Sequence, residues 1–227
     1  MNNFDEEMEL LKTRMTKIQH KYSENLLTSR ELSLIIILSS LGAVMSVPIG
    51  HAGNMLKAIP VLPAGSSQAL SGLHVIWLVL ASVLVRRKGA GTMTGIIKGL
   101  VEMFLFSYHG IFVLIISTVE GLMVDIVLAL LRRVNTRSLC LAGGLSSASN
   151  VSVTQFIIAP RLPLFVFAFM YMASFASGLF FAGYLGKRVL DIISSSTRLI
   201  PGAQTSSVFG VVISWHMRAQ HLYRNRY

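Results

Sequence analysis

Six apolar stretches run along this chain, separated by short connectors that are basic or rich in Pro and Gly. The stretches cover residues 32–47, 70–85, 89–107, 111–131, 139–158 and 162–185. Each is near the length that an α-helix needs to cross the hydrocarbon core of a bilayer. The pattern predicts an all-α integral membrane protein, multi-pass in the cell membrane, with a compact domain of six transmembrane helices.

The positive charges predict the orientation of this domain. Of the 20 Lys and Arg, all except Lys57, Lys98 and Arg161 precede the first stretch or follow the second, fourth or sixth. Positive residues are retained on the cytoplasmic side, so both termini are predicted to be cytoplasmic. A basic face beside anionic lipid headgroups also accounts for the net charge of +10 without any nucleic-acid partner.

Composition and end segments suggest three regions. The hydrophobic share of 53% and the mean hydropathy of +0.63 exceed those of a soluble domain. Apolar residues at helical spacing predict a cytoplasmic amphipathic helix over 1–29, with a fresh helix starting at Ser29 or Arg30 because Thr28 and Glu31 have capping-box spacing. Residues 30–190 would form the membrane domain, and 191–227 a basic cytoplasmic tail with an interfacial helix near 208–215.

The connector over 48–68 is the longest one predicted outside the membrane. It contains Pro48, Pro60 and Pro63 together with several Gly and Ser, so it is not expected to be helical throughout. Two interpretations stay open: a segment that covers a binding site, or a plain extracellular loop.

Ionisable residues inside the spans are costly, which makes each a functional candidate. Lys98 shares a helix face with Glu102 and lies at a depth similar to Glu120, so a packing ion pair with either acid is reasonable. Asp125 lies about 140° around the helix from Glu120 and deeper. Glu102 and Glu120 are the better ligand candidates, with hydrogen-bonding and flat apolar groups near the outer connectors: Tyr108, His109, Trp77 and Asn150.

Motifs of catalysis and metal binding are missing from the sequence. There is no phosphate-binding G-x-x-x-x-G-K-[ST], no H-E-x-x-H or Cys/His cluster, and no G-x-S-x-G. No enzymatic activity, cofactor or metal site is therefore predicted. Small residues Ser39, Gly42 and Ala43 on the first span permit close helix contact, either inside the chain or with another subunit.

Residues 72–133 carry a family resemblance. The similar elements are a helix end at Val85-Arg86-Arg87 followed by Gly89-Ala90, then Gly99-Leu100-Val101-Glu102, then Val119-Glu120-Gly121-Leu122 with an acid at Asp125. This segment resembles the membrane-embedded substrate-binding (S) components of energy-coupling-factor (ECF) transporters. It is most similar to the branch for thiamine and its hydroxymethylpyrimidine (HMP) precursor.

The resemblance implies a vitamin held near the outer face and a partnership with a transmembrane coupling subunit and two ATPases. Glu102 and Glu120 would bind the ligand's aminopyrimidine or cationic ring, a task that suits carboxylates. Ser39, Gly42 and Ala43 would face the coupling subunit. Lys98 departs from the family pattern and leaves a neutral or an anionic ligand open.

These observations bear on three functions. The leading one is the substrate-binding subunit of an ATP-driven vitamin uptake transporter, without enzymatic activity. The alternative is a non-transporting structural or assembly subunit of a membrane complex, with the basic terminal helices as docking elements. An integral-membrane enzyme is disfavoured because no nucleophile or metal constellation accompanies the buried carboxylates.

Overall fold

The computed structural model describes residues 8, 27–59, 65–105, 110–132, 134–158 and 163–198. Regular structure within these ranges is entirely helical. The α-helices are α1 (Ser29–Lys57), α2 (Ser71–Val85), α3 (Ala90–Phe104), α4 (Phe112–Leu131), α5 (Thr136–Val153), α6 (Leu164–Ser177) and α7 (Gly186–Arg198). A 3₁₀ turn (Ser66–Leu70) leads into α2. One π-helical stretch follows α5 (Thr154–Ile158), and another joins α6 to α7 (Gly178–Leu185).

Each predicted span coincides with one of the helices α1 to α6. Four helical segments in the described ranges are long and apolar enough to cross a membrane: Ser29–Leu56, Ser66–Val85, Phe112–Leu131 and Leu164–Ser195. Helix α3 is shorter, at 15 residues or about 22 Å, and contains Lys98 and Glu102. Helix α5 is rich in Ser and Gly. The count of six spans and the cytoplasmic termini therefore stay predictions.

Helix α1 differs from the prediction at its C-terminal end. Its start at Ser29 is confirmed, and the Thr28 amide donates a hydrogen bond of 2.8 Å to Glu31 Oε2, one half of the expected capping box. The helix then continues through Pro48 to Lys57, so the first ten residues of the predicted connector are helical. Proline lacks an amide donor, but a long helix can lose one backbone hydrogen bond and continue.

The chain divides into two units, Met1–Ser33 and Leu34–Tyr227. Only Met8 and residues 27–33 of the first unit are described. The predicted N-terminal amphipathic helix, apart from those residues, and the predicted interfacial helix near 208–215 lie outside the described part of the chain.

Helix α2 lies at the centre of the second unit. Val75, Leu78 and Val79 of this helix are fully buried, and they pack in one apolar cluster with Val124 of α4 and Leu139 of α5. The helix also contacts α3 and the π-helical stretch after α6. This central position explains why α2 is apolar over nearly its whole circumference.

Helices α3 and α4 pack backbone to backbone. Gly91, Gly95 and Gly99 recur every four residues along one face of α3, opposite Gly121 and Ser117 of α4. A Cβ atom at Gly95 would lie 2.2 Å from the carbonyl oxygen of Ser117, a distance that only glycine avoids. The contact holds the two helices in one register and thereby brings Lys98 and Glu102 of α3 close to Ser117 of α4.

Asp125 secures the start of α3 from the neighbouring helix. Gly89 precedes α3 with φ of 85° and has no side chain to cap it. The Asp125 carboxylate instead accepts hydrogen bonds from the Gly91 amide (2.9 Å), the Thr92 amide (2.7 Å) and the Thr92 hydroxyl (2.7 Å). Asp125 therefore has a structural role on a different face of α4 from Glu120.

Candidate functional site

A cavity of about 780 Å³ lies among helices α1 to α6. Its volume is within the range of small-molecule binding sites, roughly 300–1,000 Å³. The C-terminal part of α1 and the turn at 65–70 form one wall. Residues of α2 to α6 form the others, where apolar side chains such as Val113, Val166 and Met170 lie beside the polar ones. Several residues of the predicted connector contribute to the lining: Ile49, Gly50, His51, Gly53, Asn54, Gly65, Ser67 and Gln68.

A buried ion pair lies in the wall formed by α3. Lys98 Nζ is 2.8 Å from Glu102 Oε1, and the two side chains are only 1% and 7% exposed. Lys98 also donates a hydrogen bond of 3.3 Å to Ser117 Oγ, whose hydroxyl donates to Glu102 Oε2 at 3.2 Å. Both oxygens of Glu102 are thus engaged by groups of the protein itself.

Ser46 of α1 and His74 of α2 extend this network. The Ser46 hydroxyl lies within hydrogen-bond distance of two acceptors, Glu102 Oε1 and the backbone carbonyl of Gly42 (2.9 Å), and its oxygen is 3.0 Å from Nδ1 of His74. A hydroxyl has a single proton, so when Ser46 donates to Glu102 the Nδ1–H of His74 must donate to Ser46. In that arrangement Nε2 of His74 is an acceptor, and it has no partner in the described part of the chain.

Glu120 of α4 has different surroundings. The side chain is 1% exposed, and Oε1 accepts a hydrogen bond of 3.0 Å from Asn150 Nδ2 on α5. The backbone carbonyl of Glu120 accepts a further bond from Ser146 Oγ at 2.8 Å, which ties α4 to α5. Among the described residues, no group donates to Oε2 of Glu120 and no cation forms an ion pair with it.

The charges around the cavity are therefore unevenly compensated. Lys98, Glu102 and Glu120 are its charged lining residues within the described ranges, beside the histidines His51 and His74. Because Lys98 and Glu102 compensate one another at contact distance, the uncompensated negative charge resides on Glu120. A buried carboxylate next to an enclosed volume is suited to an amine or a cation of a bound molecule.

The structure brings together three of the six predicted ligand residues. Glu102, Glu120 and Asn150 all line the cavity. Tyr108 and His109 lie outside the described residues. Trp77 is not among the described lining residues, because its side chain packs against α1, where a Cβ at Gly42 would be 3.0 Å from Trp77 Cγ. The expectation for Trp77 is corrected to a contact between α1 and α2.

The predicted partner surface on α1 is also corrected. Ser39 and Ala43 are fully buried and Gly42 is buried beside Trp77, so all three face the chain's own helices. The Ser39 hydroxyl donates a hydrogen bond of 3.1 Å to the backbone carbonyl of Thr94 on α3. The small residues do permit close helix contact, but the contact is internal.

Three polar residues of the network around Glu102 were not predicted from the sequence: Ser46, His74 and Ser117. His74 had a signal that could have revealed it, since it lies inside an apolar stretch and the same argument applied to Lys, Glu and Asp covers histidine. The two serines had no comparable signal. Serine is common in membrane helices, and only the packing shows which hydroxyls meet a carboxylate.

Apolar helices that enclose a ligand-sized cavity with several buried polar groups in its walls define a membrane-embedded substrate-binding subunit. Comparison with known proteins agrees with this class. A family model described as "ABC-type cobalt transport system, permease component" matches residues 30–149, more than half of the chain. The chain belongs to this family.

Two individual relatives narrow the similarity. The chain is 29% identical over 171 residues to the putative HMP/thiamine permease protein YkoE of Bacillus subtilis (strain 168), covering 73% of this chain and 83% of the relative. A crystal structure of an S-component of an ECF transporter superposes with a TM-score of 0.70 at 25% identity, covering 86% of this chain and 98% of that one. The resemblance to S components of the thiamine/HMP branch is confirmed, and the chain is a multi-pass plasma-membrane protein whose relatives are transporter subunits.

Proposed function

We propose that this protein binds thiamine or its HMP precursor as the substrate-binding subunit of an ATP-driven vitamin uptake transporter. The observation that carries the proposal is the buried Glu120–Asn150 pair in the wall of a ligand-sized cavity. The name of the relative YkoE, an HMP/thiamine permease, supports the same class of ligand.

The polar groups of the cavity suit an aminopyrimidine. Glu120 Oε2 is an acceptor without a described partner, and Asn150 Oδ1 is a second acceptor because Nδ2 of that amide already donates to Glu120. An exocyclic amine has two N–H donors and can bond to both oxygens. His74 lines the same cavity and adds a flat ring with a hydrogen-bonding nitrogen. Tyr108 and His109 remain predicted ligand residues.

The organisation around this site is part of the proposal. Six spans with both termini in the cytoplasm would place the C-terminal part of α1 and the turn at 65–70 on the outer side, where the vitamin enters. A coupling subunit and two ATPases would supply the energy, since this chain has no phosphate-binding motif of its own. Residues 1–29 and 191–227 would form the cytoplasmic amphipathic helix and the basic tail.

Titration calorimetry on the detergent-purified protein tests the proposal. We expect saturable binding of thiamine, HMP or both. Co²⁺ should be tested beside the two vitamins, because the family description names cobalt transport. Saturable binding of Co²⁺ alone would contradict the vitamin assignment. If none of the three binds while the chain still assembles with other membrane subunits, the alternative role as an assembly subunit is correct.

Substitutions at the pair make the test specific. Glu120→Gln keeps the size and removes the charge, and the loss of a charge-assisted hydrogen bond costs about 1.5–3 kcal/mol, or roughly ten- to a hundredfold in affinity. Asn150→Ala should weaken binding in the same direction. Val44→Ala on the exposed face of α1 is the matched control and should leave affinity unchanged. Equal affinities in all four proteins would remove Glu120 and Asn150 from the site.

A further inference from the structure

The two acids of the cavity lie on neighbouring helices but have unlike partners. We infer that Lys98 retains Glu102 as an internal counter-ion, so that Glu120 is the acid that meets the ligand and Lys98 sets which ligand charge the cavity accepts. This inference rests on the proposed function for the identity of the ligands. The part of its test that measures melting temperatures without ligand does not depend on that identity.

Glu102 has little hydrogen-bonding capacity left for a ligand, because groups of the protein already contact both of its carboxylate oxygens. Lys98 and Ser46 occupy Oε1, and Ser117 occupies Oε2. Removing one partner of a buried ion pair leaves an uncompensated charge, so a ligand that displaced Lys98 from Glu102 would have to offset that loss. Lys98 and Glu102 are one turn apart on α3, and the pair therefore forms within a single helix before any ligand arrives.

Glu120, in contrast, has a carboxylate oxygen that is available to a ligand. Its one side-chain partner among the described residues is Asn150, a neutral amide that engages Oε1. The remaining oxygen belongs to a residue that is 1% exposed and lines the cavity, so bulk water does not solvate it. An acid in such surroundings gains most from a donor or cation that enters the cavity.

Lys98 then affects ligand choice through charge. With Lys98 present, the lining described here has one carboxylate in excess; with Lys98 replaced by a neutral residue it has two. Thiamine has a permanently cationic thiazolium ring, whereas HMP is uncharged. An added uncompensated carboxylate attracts the cation and changes little for the neutral molecule, so loss of Lys98 should favour thiamine over HMP.

Affinities for thiamine and HMP and ligand-free melting temperatures should be measured for Glu120→Gln, Glu102→Gln, Lys98→Met and the double variant Lys98→Met/Glu102→Gln. We expect Glu120→Gln to lose at least tenfold in affinity without a loss of melting temperature. Glu102→Gln should lower both quantities, because Lys98 is left unpaired. The double variant removes both charges and should recover the melting temperature and come within about fivefold of wild-type affinity.

The ratio of thiamine to HMP affinity should rise at least fivefold in Lys98→Met, on the order of one added charge contact near a protein surface. A purely structural role of Lys98 would weaken both ligands equally and leave the ratio unchanged. A double variant with wild-type melting temperature but lost binding would show that Glu102 contacts the ligand, which overturns the inference.

The ligand-free melting temperatures test the division of roles between Glu102 and Glu120 even if the wild-type protein binds neither vitamin. That result would contradict the proposed function alone. Without ligand, Glu102→Gln should melt lower than wild type and the double variant should recover, whereas Glu120→Gln should not melt lower. A loss in Glu120→Gln as large as that in Glu102→Gln would make Glu120 a structural acid and contradict the division of roles.

Discussion

Replacing Asp125 by Ala tests whether this residue holds the start of α3 in place. The carboxylate accepts bonds of 2.9, 2.7 and 2.7 Å from the Gly91 amide, the Thr92 amide and the Thr92 hydroxyl. A hydrogen bond to a charged group contributes about 1.5–3 kcal/mol, and losing a helix N-cap costs about 0.5–2 kcal/mol. The three bonds share one acceptor group and are not additive, so we expect a loss of about 3 kcal/mol.

Thermal unfolding of the purified protein is the appropriate assay. For a chain of this size a loss of 1 kcal/mol lowers the melting temperature by about 2–4 °C, so Asp125→Ala should melt about 6–12 °C below wild type. Asp125→Asn retains the shape and one acceptor oxygen and should lose roughly half as much.

Asp191→Ala is the matched control for this experiment. Asp191 forms an ion pair with Lys187 on α7, but its side chain is 56% exposed. An exposed pair contributes less than about 1 kcal/mol, so the control should melt close to wild type. If Asp125→Ala also melts within 2 °C of wild type, where about 6 °C or more is expected, the capping role of Asp125 is refuted.

Three further changes test the packing and the orientation. Gly95→Val should prevent folding, because a Cβ there would be 2.2 Å from the Ser117 carbonyl oxygen. Gly50→Ala should fold normally, because a Cβ at that position has nothing within 4 Å. The yield and the melting temperature of the purified variants measure both effects. Ser39→Leu should lower the melting temperature by inserting bulk at a fully buried position, while Leu at the exposed Val44 should not. In a Cys140→Ser background, Ala58→Cys should react with an impermeant thiol reagent from outside the cell and Thr136→Cys only after the inner side is opened; reaction of both from one side would refute the predicted orientation.

The helices that were predicted well are those with a local signal. The start of α1 follows from Thr28 and Glu31, three residues apart, and α2 and α4 follow from long apolar runs. The C-terminal end of α1 was missed because Pro48 suggested a break, and a proline in a long helix removes one hydrogen bond without ending the helix.

The small-residue surface of α1 shows a different limit. Ser39, Gly42 and Ala43 were recognised as a surface for close contact, but their partner was assigned to another subunit. The spacing of small residues indicates that a helix can approach closely, and it contains no information on which helix does so. In the structure the neighbours are Thr94 and Trp77 of the same chain.

The sequence by itself determined the class of protein, the approximate helices and the four charged residues within them, because hydropathy and charge are properties of residues and their order. Only the tertiary structure decided which of the two expected acids pairs with Lys98, namely Glu102, and that Glu120 bonds to Asn150 and Asp125 to the start of α3. The physical reason is that the other groups that bond to these acids lie on different helices from the acids: Ser46 and Ser117 for Glu102, Asn150 for Glu120, and the start of α3 for Asp125. Those distances depend on the backbone contact between α3 and α4, which local sequence patterns do not specify.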